Sequence, residues 1–143
     1  MRNMCLLVCA ALVVIVYCSC ADDSEDAAAM GVDFDWQQID KGSTDNPDIL
    51  LTGVPPGTQR FLVSLVDLNL KGFDHGSGYV DNDGTGIIGR GTVKGSYNGP
   101  DPPYPSVKHT YEITVKALDE KGAVIGIGKN AKQFLCWDQY KME

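Results

Sequence analysis

The chain has no run of basic residues and contains only two histidines, His75 and His109, among its 143 residues. Acidic residues outnumber basic residues by 19 to 12, which gives a formal net charge of -7 at neutral pH. A polyanion such as nucleic acid, or an anionic lipid surface, is attracted by clustered lysine and arginine side chains. The composition therefore argues against nucleic acid as a partner.

A sustained helical pattern is also absent. No segment keeps apolar residues at a 3.6-residue period long enough to predict a helix, and only a short turn is expected near residues 130–133. Short β-like runs are instead separated by glycine (16) and proline (7). Predicted strands cover residues 49–54, 61–67, 79–80, 91–93, 110–118 and 124–127. This pattern predicts one mainly β domain over residues 32–143, an antiparallel sandwich or barrel with few short helices.

Cysteine is scarce once the N-terminus is set apart, because three of the five cysteines lie in its first 19 residues. Arg2 is the only charge there, and residues 4–18 are apolar. That run has the length of a signal-peptide core and is shorter than the roughly 18 or more residues of a membrane span. We therefore expect residues 1–19 to be a signal peptide. Cys20 and Cys136 remain, too few for a disulfide framework, and they can form a bridge only if Cys20 is not lipidated.

Two processing routes are open at Cys20. In the first, Cys20 carries the lipid of a bacterial lipoprotein; residues 17–19 resemble a relaxed lipobox and depart from it at Tyr17, where an aliphatic residue is usual. The acidic residues 20–31 then form a flexible tether from a membrane. In the second, residues 19–21 are an ordinary secretory cleavage site. Either route exports the protein, the first as a periplasmic or cell-surface lipoprotein and the second as a secreted protein.

The stretch over residues 96–119 carries the most information about a site. It begins with a loop rich in glycine and proline, Gly99 and Pro102 among them. Proline fixes φ and has no N–H, so the loop is stiff and needs no ladder partner. Alternating apolar and polar residues then predict a strand that begins near His109 and Tyr111. A histidine at a strand end beside a stiff loop predicts a small-molecule pocket.

Three other chemistries are not supported by the sequence. Residues 84–89 spell G-x-G-x-x-G, but strand and turn follow them in place of the helix that a dinucleotide site needs. Asp67, His75 and His109 lack a third basic ligand at a standard metal-site spacing. No nucleophile with an adjacent base and no second carboxylate for hydrolysis accompany them. We therefore expect a binding protein that is not an enzyme, with no metal and no cofactor.

A series of short motifs follows in order over residues 40–134. These motifs are Asn46-Pro47-Asp48-Ile49-Leu50 with residues 53–58, Asp67, His75, Tyr97-x-Gly99-x-x-Pro102-Pro103, and His109-x-Tyr111. In this order and spacing they resemble the SPxLxWxGxPxGT, DPDAP, YxGxxPP and HRY motifs of the phosphatidylethanolamine-binding protein family. The resemblance is to its small bacterial branch, the Raf-kinase-inhibitor-like or YbhB/YbcL type.

The resemblance implies a β-rich fold built on a large antiparallel sheet, with a pocket for phosphate-like or other anionic head groups. By motif position, the ligand-binding residues would be Asp67, His75, Gly99, Pro102, His109 and Tyr111. Two imidazoles and a phenol supply convergent donors, and a carboxylate can fix a histidine tautomer or keep the ring protonated. The expected partners are a small anionic ligand and a membrane reached through the lipid anchor, and a homodimer stays open.

The chain departs from the family pattern around this pocket. Asn69 replaces the second aspartate of DPDAP and Thr110 replaces the arginine of HRY, which predicts a neutral pair in place of a charged one. Asp74 and Asp101 place carboxylates near the pocket, where they would oppose an anion. The alternative function is therefore an envelope protein-interaction module whose pocket is vestigial.

Overall fold

The computed structural model describes residues 26–70, 73–103 and 108–135, and this part of the chain contains nine β-strands and no helix. The strands are β1 (Ala28–Ala29), β2 (Gly31–Phe34), β3 (Ile49–Thr52), β4 (Arg60–Asp67), β5 (Asp74–Asp81), β6 (Ile87–Ile88), β7 (Lys94–Gly95), β8 (His109–Leu118) and β9 (Val124–Phe134). A search of the described residues for a helix long and apolar enough to cross a membrane finds none.

The strands form two sheets that face each other. The larger sheet has the order β1-β9-β8-β4-β5-β7, and the smaller has the order β2-β3-β6. Every pair is antiparallel except β1 with β9, which is parallel. Because β8 pairs with β4 on one side and β9 on the other, it lies at the centre of the larger sheet.

Alternating side chains from both sheets build one core, as the period of two along a strand requires. In β8, for example, every second residue from His109 to Ala117 is buried. The core comprises Met30, Val32, Phe34, Ile49, Leu51, Phe61, Val63, Leu65, Ile88, Val93, Tyr97, Tyr111, Ile113, Val115, Ala117 and Phe134. Because both sheets contribute to this core, their outer faces lie on opposite sides of the molecule.

The prediction of a mainly β fold is confirmed. The strands expected at residues 61–67 and 110–118 are observed as β4 and β8, each with one further residue at its start. In β8 the alternation of apolar and polar residues fixes the type of element and its buried face. Residues 61–67 are nearly continuously apolar, a pattern typical of a strand buried on both faces, but β4 buries only one face and leaves Val66 exposed on the other. The few short helices allowed by the prediction are absent from the described residues.

Two local predictions are wrong. The turn expected near residues 130–133 lies inside β9, because the side chains of Asn130 and Lys132 find hydrogen-bonding partners on β2 and so tolerate an extended strand. The strand expected at residues 91–93 is a turn. Two N–H groups of that segment donate to the backbone and side-chain oxygens of the fully buried Asn46, which holds the segment away from a ladder.

The sandwich begins before the predicted domain boundary at residue 32. Strand β1 pairs with β9, and Met30, which follows β1, is buried in the core. Residues 28–31, which composition assigned to the flexible tether, therefore belong to the sandwich. The predicted signal peptide and the two cysteines Cys20 and Cys136 lie outside the described residues.

Candidate ligand-binding site

Four of the predicted site residues meet at one end of the larger sheet. Asp67 ends β4, His75 lies near the start of β5, and His109 and Tyr111 begin β8. Asp67 lies directly opposite Tyr111 in the β4–β8 register, and β5 pairs with the other side of β4. Antiparallel pairing thus brings together groups that are distant in the sequence, and all four are buried.

Asp67 is the polar centre of the site. Its Oδ2 lies 2.6 Å from Nδ1 of His109, and its Oδ1 accepts the N–H groups of Asn69 (2.8 Å) and Leu70 (3.1 Å). Burial alone would raise the pKa of this carboxyl, but the hydrogen bonds from His109 and the two N–H groups outweigh burial and hold the pKa of Asp67 below its usual value. Asp67 is therefore ionised at neutral pH. It fixes His109 with Nδ1 as the donor, which leaves Nε2 as the ring nitrogen for a ligand.

A β-bulge turns His75 towards the interior. The β4–β5 register shifts between Ser64 and Val66, and Gly76, which lies opposite this shift, has a φ of 79°. A Cβ on Gly76 would collide with the carbonyl oxygen of Ser96, so glycine is required both for the backbone angle and for the close approach. His75 is buried as a result, yet its Nδ1 has no hydrogen-bond partner.

Tyr111 joins these polar groups to an aromatic cluster. Its ring makes edge contacts with the rings of His75, Trp36 and Phe134, at centroid distances of 5.3, 6.1 and 6.3 Å. The Tyr111 hydroxyl is buried and makes no well-formed hydrogen bond, although the Asp67 carboxylate and the Asp101 backbone lie close to it. Burial raises the pKa of this phenol, and the carboxylate of Asp67 raises it further. The hydroxyl therefore keeps its proton and can donate it in a hydrogen bond to a ligand.

The loop after β7 forms a fixed wall beside His75. The N–H of Asn98 donates to the carbonyl of His75 (2.7 Å), and the N–H of Gly99 donates to that of Ser43 (2.7 Å). A Cβ on Gly99 would lie 2.5 Å from the Ser43 oxygen, so the two loops approach this closely only with glycine. Pro102 is fully buried. Gly99 therefore sets the close approach of this loop to Ser43, and neither Gly99 nor Pro102 supplies a polar side chain to a ligand.

The two carboxylates expected to oppose an anion have partners. Asp101 forms an ion pair with Lys41, whose Nζ lies 3.0 Å from Oδ1, and Asp101 is close enough to Tyr111 for its charge to raise the pKa of the phenol. Asp74 accepts the N–H of Gly76 at 2.8 Å. The repulsion expected from Asp101 is thus partly offset by a lysine that the sequence motifs do not indicate.

Asn69 and Thr110 lie side by side, as the hypothesis of a neutral pair requires. Oδ1 of Asn69 accepts the backbone N–H of Thr110 at 2.7 Å, and the N–H of Leu68 donates to the Thr110 carbonyl at 2.9 Å. The contact is uncharged and uses the backbone of Thr110, not its side chain. It extends the β4–β8 ladder next to the contact between Asp67 and His109.

Sequence reasoning missed three residues at this site. Trp36 contacts Tyr111, Lys41 pairs with Asp101, and the ring of Phe73 contacts that of His75 at a centroid distance of 4.7 Å. The sequence could have indicated Phe73, because it lies two residues before His75 and residues two apart lie on the same side of an extended chain. Trp36 and Lys41 come from the loop before β3, and no local pattern links that loop to the site.

The described residues of the site can donate and accept hydrogen bonds. In the part of the chain that the structure describes, no serine, threonine or cysteine side chain hydrogen-bonds to either histidine. No group of three His, Cys, Asp or Glu side chains suited to a metal ion is found among the same residues. The site contains two imidazoles and one phenol, and Nδ1 of His75 is buried without a hydrogen-bond partner.

The fold defines a β-sandwich of the phosphatidylethanolamine-binding protein type. The chain is similar to CT736 of Chlamydia trachomatis, described as a homologue of that protein, with a TM-score of 0.51 and 14% identity over 76% of this chain and 98% of the other. It is also similar to YbcL of E. coli, described as a member of the mammalian family, with a TM-score of 0.52 and 14% identity over 74% and 98%. No protein-family model and no curated protein matches the chain. The likeness confirms, at the level of the fold, the resemblance predicted from the motifs.

Proposed function

We propose that the protein binds a small anionic ligand, phosphate or a phosphate-bearing head group, at His75, His109 and Tyr111. One observation carries the proposal: His75 Nδ1 is buried without a hydrogen-bond partner, and its ring touches that of Tyr111. The buried Tyr111 hydroxyl makes no well-formed hydrogen bond, although it lies close to the Asp67 carboxylate and the Asp101 backbone. A buried polar group without a partner costs about 1–3 kcal/mol. A ligand that hydrogen-bonds to both atoms would remove that cost, so the pair supports a site that a ligand completes.

The character of these groups favours an anion. The Tyr111 hydroxyl keeps its proton, and a protonated imidazole donates from both ring nitrogens. Both carboxylate oxygens of Asp67 already accept hydrogen bonds, which limits their attraction for a cation. A phosphate-like group is the class of anion that suits several convergent donors. The names of the two similar structures, which refer to phosphatidylethanolamine binding, support the same class of ligand.

We further propose that the protein is exported and binds without turnover. Residues 1–19 have the pattern of a signal peptide, and Cys20 is positioned for a lipid anchor that would hold the domain in the periplasm or at the cell surface. Secretion is the alternative. Cys20→Ser should move the protein from the membrane to the soluble fraction. Wild-type protein found in the soluble fraction would favour secretion.

Titration with inorganic phosphate, followed by NMR, tests the binding proposal. With only two histidines in the chain, each imidazole gives a separate signal. Both should respond to phosphate at about pH 5.5, where imidazole is largely protonated. Tyr111→Phe keeps the ring and removes the hydroxyl, and it should weaken phosphate binding about tenfold or more, since a hydrogen bond to a charged group contributes about 1.5–3 kcal/mol.

Tyr97→Phe is the matched control. The Tyr97 hydroxyl is also buried without a partner, and burial alone raises the pKa of this phenol, with no contribution from a carboxylate. The substitution should leave phosphate binding unchanged. If neither imidazole responds, the pocket is vestigial and the protein is better described as an interaction module. The apolar side chains of Leu68, Leu70 and Phe73, exposed near the site, would then be its first candidate surface.

A further inference from the structure

The outer face of the larger sheet carries a basic patch with an exposed tyrosine at its centre. Tyr79 is 47% exposed, and the Arg60 guanidinium carbon lies 5.0 Å from the centre of its ring. Lys94 lies opposite Tyr79 in the β5–β7 register, and Leu62 lies between Tyr79 and Lys116 in the same row. A groove of about 430 Å³ runs beside Tyr79, Arg60 and Lys94. We call Arg60, Tyr79, Lys94 and Lys116 the basic face.

The outer face of the smaller sheet has the opposite charge. Leu50 of β3 lies between Asp33 of β2 and Ile87 of β6, and Leu50 and Ile87 are each 51% exposed. Asp35 and Asp48 border the same groove, whose volume is about 380 Å³. Exposed aliphatic side chains that neighbour each other across a sheet are typical of a contact surface. We call Asp33, Asp35, Asp48, Leu50 and Ile87 the acidic face.

The two faces complement each other in charge and in apolar content. Lys132 pairs with Asp33 and offsets part of the acidic charge, and Asp81 lies opposite Arg60 and offsets part of the basic charge. An excess of acid remains on one face and an excess of base on the other. The basic face is the unusual one, because the chain as a whole has a net charge of -7. Each face also has an exposed apolar or aromatic centre. Ion pairing with a charged partner would not by itself bury that centre.

We propose that a second copy of this chain binds with its acidic face on the basic face of the first. Tyr79 of one molecule would then pack against Leu50 and Ile87 of the next, with cations and carboxylates paired around this contact. The two faces lie on opposite sides of the sandwich, so the interface joins unlike surfaces and leaves one face free on each molecule. Such contacts produce chains or closed rings, whereas a two-fold dimer would need a single self-complementary face.

Sedimentation velocity of the purified protein over a wide concentration range tests the proposal. The average mass should rise with concentration at low ionic strength, and the rise should disappear at about 1 M salt, where the Debye length is about 3 Å. A chain that stays monomeric at low salt overturns the proposal, and so does association that strengthens with salt. These measurements use the wild-type chain, so they do not depend on the folding of any variant.

Two variants test the front-to-back arrangement. One carries Leu50→Lys and Ile87→Lys, which replace the apolar centre of the acidic face with positive charge and remove no carboxylate. The other carries Tyr79→Ser and Lys94→Ser, which spoil the basic face. Each variant should associate at least about tenfold more weakly than wild type, a change that corresponds to about 1.4 kcal/mol. Lys108→Ser, which removes an exposed lysine just before β8 and eight residues from Lys116, is the control and should associate as wild type does.

The mixture of the two variants distinguishes the possible interfaces. Each variant keeps one intact face, and the intact basic face of the first fits the intact acidic face of the second. The mixture should therefore form a one-to-one complex that does not grow further. Variants that associate as strongly as wild type, or a mixture of folded variants that remains monomeric, would overturn the proposal. Circular dichroism of each variant verifies that it is folded before mixing.

Discussion

Asp67 and His109 form a buried hydrogen-bonded pair, with the carboxylate Oδ2 2.6 Å from the imidazole Nδ1. The pair links two strands and a turn, because Oδ1 of the same carboxylate accepts two N–H groups of the segment that follows β4. The orientation of the His109 ring therefore depends on the backbone conformation around Asp67. A substitution of Asp67 should therefore change both the stability of the fold and the geometry of the site.

Asp67→Asn should lower the free energy of unfolding at neutral pH and have less effect in acid. The native pKa of Asp67 lies below its unfolded value, so its contribution is fully present above about pH 4 and is lost as the pH falls through the native pKa. Urea unfolding at neutral pH and at about pH 3 measures this difference. Wild type and variant should become more alike in acid, because protonated aspartate and asparagine carry no charge.

Asp83→Asn provides the control for this acid dependence. The pKa of Asp83 is also lowered, by hydrogen bonds from the side chain and backbone of Thr85, but Asp83 lies in an exposed turn. Solvent screens an exposed carboxylate, so we expect a smaller loss of stability at neutral pH than for Asp67→Asn. Equal losses from the two substitutions would contradict a special role for the buried pair.

The ion pair between Lys41 and Asp101 should tune the affinity for an anion. Asp101→Asn removes a negative charge that acts on Tyr111 and releases Lys41, so phosphate should bind more tightly, by roughly threefold for a partly exposed charge. Lys41→Met should have the opposite effect. Calorimetric titration with phosphate at low ionic strength measures both changes, and each should shrink at high salt.

Glu120→Gln controls for the change in total charge. Glu120 is exposed in the turn between β8 and β9, at the opposite end of β8 from His109. Ten residues of strand separate the two ends by about 30 Å, several Debye lengths at physiological salt. Phosphate affinity should not change in this variant. A gain equal to that of Asp101→Asn would show that only net charge matters.

Gly76→Ala should destabilise the protein and disturb His75. Gly76 has a positive φ, and an added methyl group would collide with Ser96. Gly84→Ala is the matched control, because Gly84 has a φ of 80° and open space around its would-be Cβ. The control should lose about 1–2 kcal/mol through backbone strain alone, and Gly76→Ala should lose more. Equal losses in urea unfolding would show that the contact with Ser96 relaxes freely.

The sequence predicted the parts of the fold that depend on local alternation. The buried and exposed positions of β8 follow its pattern of apolar and polar residues, and its start at His109 was correct within one residue. Strands of two residues, such as β1 and β7, give no such signal because they contain too few residues to show a period. Their pairing is decided by tertiary contacts, as the burial of Met30 next to β1 illustrates.

The sequence indicated which residues come together at this end of the larger sheet, but not how they interact. Motif order indicated Asp67, His75, His109 and Tyr111, and the pairing of β4 with β5 and β8 brings them together. The partners of these groups come from distant loops with no recognisable pattern. Lys41 is such a case. It pairs with Asp101, and no sequence pattern relates a lysine before β3 to the loop after β7.

Phosphate binding should weaken as pH rises from about 5 to 8, the range over which an imidazole loses its proton. A protonated ring donates from both nitrogens and adds a positive charge, whereas a neutral ring has one donor and one acceptor. His75→Gln and His109→Gln should each weaken binding about tenfold or more at about pH 5.5, since each removes a charge-assisted hydrogen bond. Both effects should be smaller at about pH 8, because a neutral imidazole donates only one hydrogen bond and adds no charge.

Tyr111→Phe separates this pH dependence from the loss of a donor. Burial raises the pKa of Tyr111, so its hydroxyl remains protonated over the whole range and its contribution should not vary with pH. The variant should bind more weakly than wild type by a constant factor, with the same pH profile. A chain that carries both histidine substitutions should show a flat profile. If the profile of that double variant matches wild type, the second ionisation of phosphate controls the pH dependence, and the histidines do not.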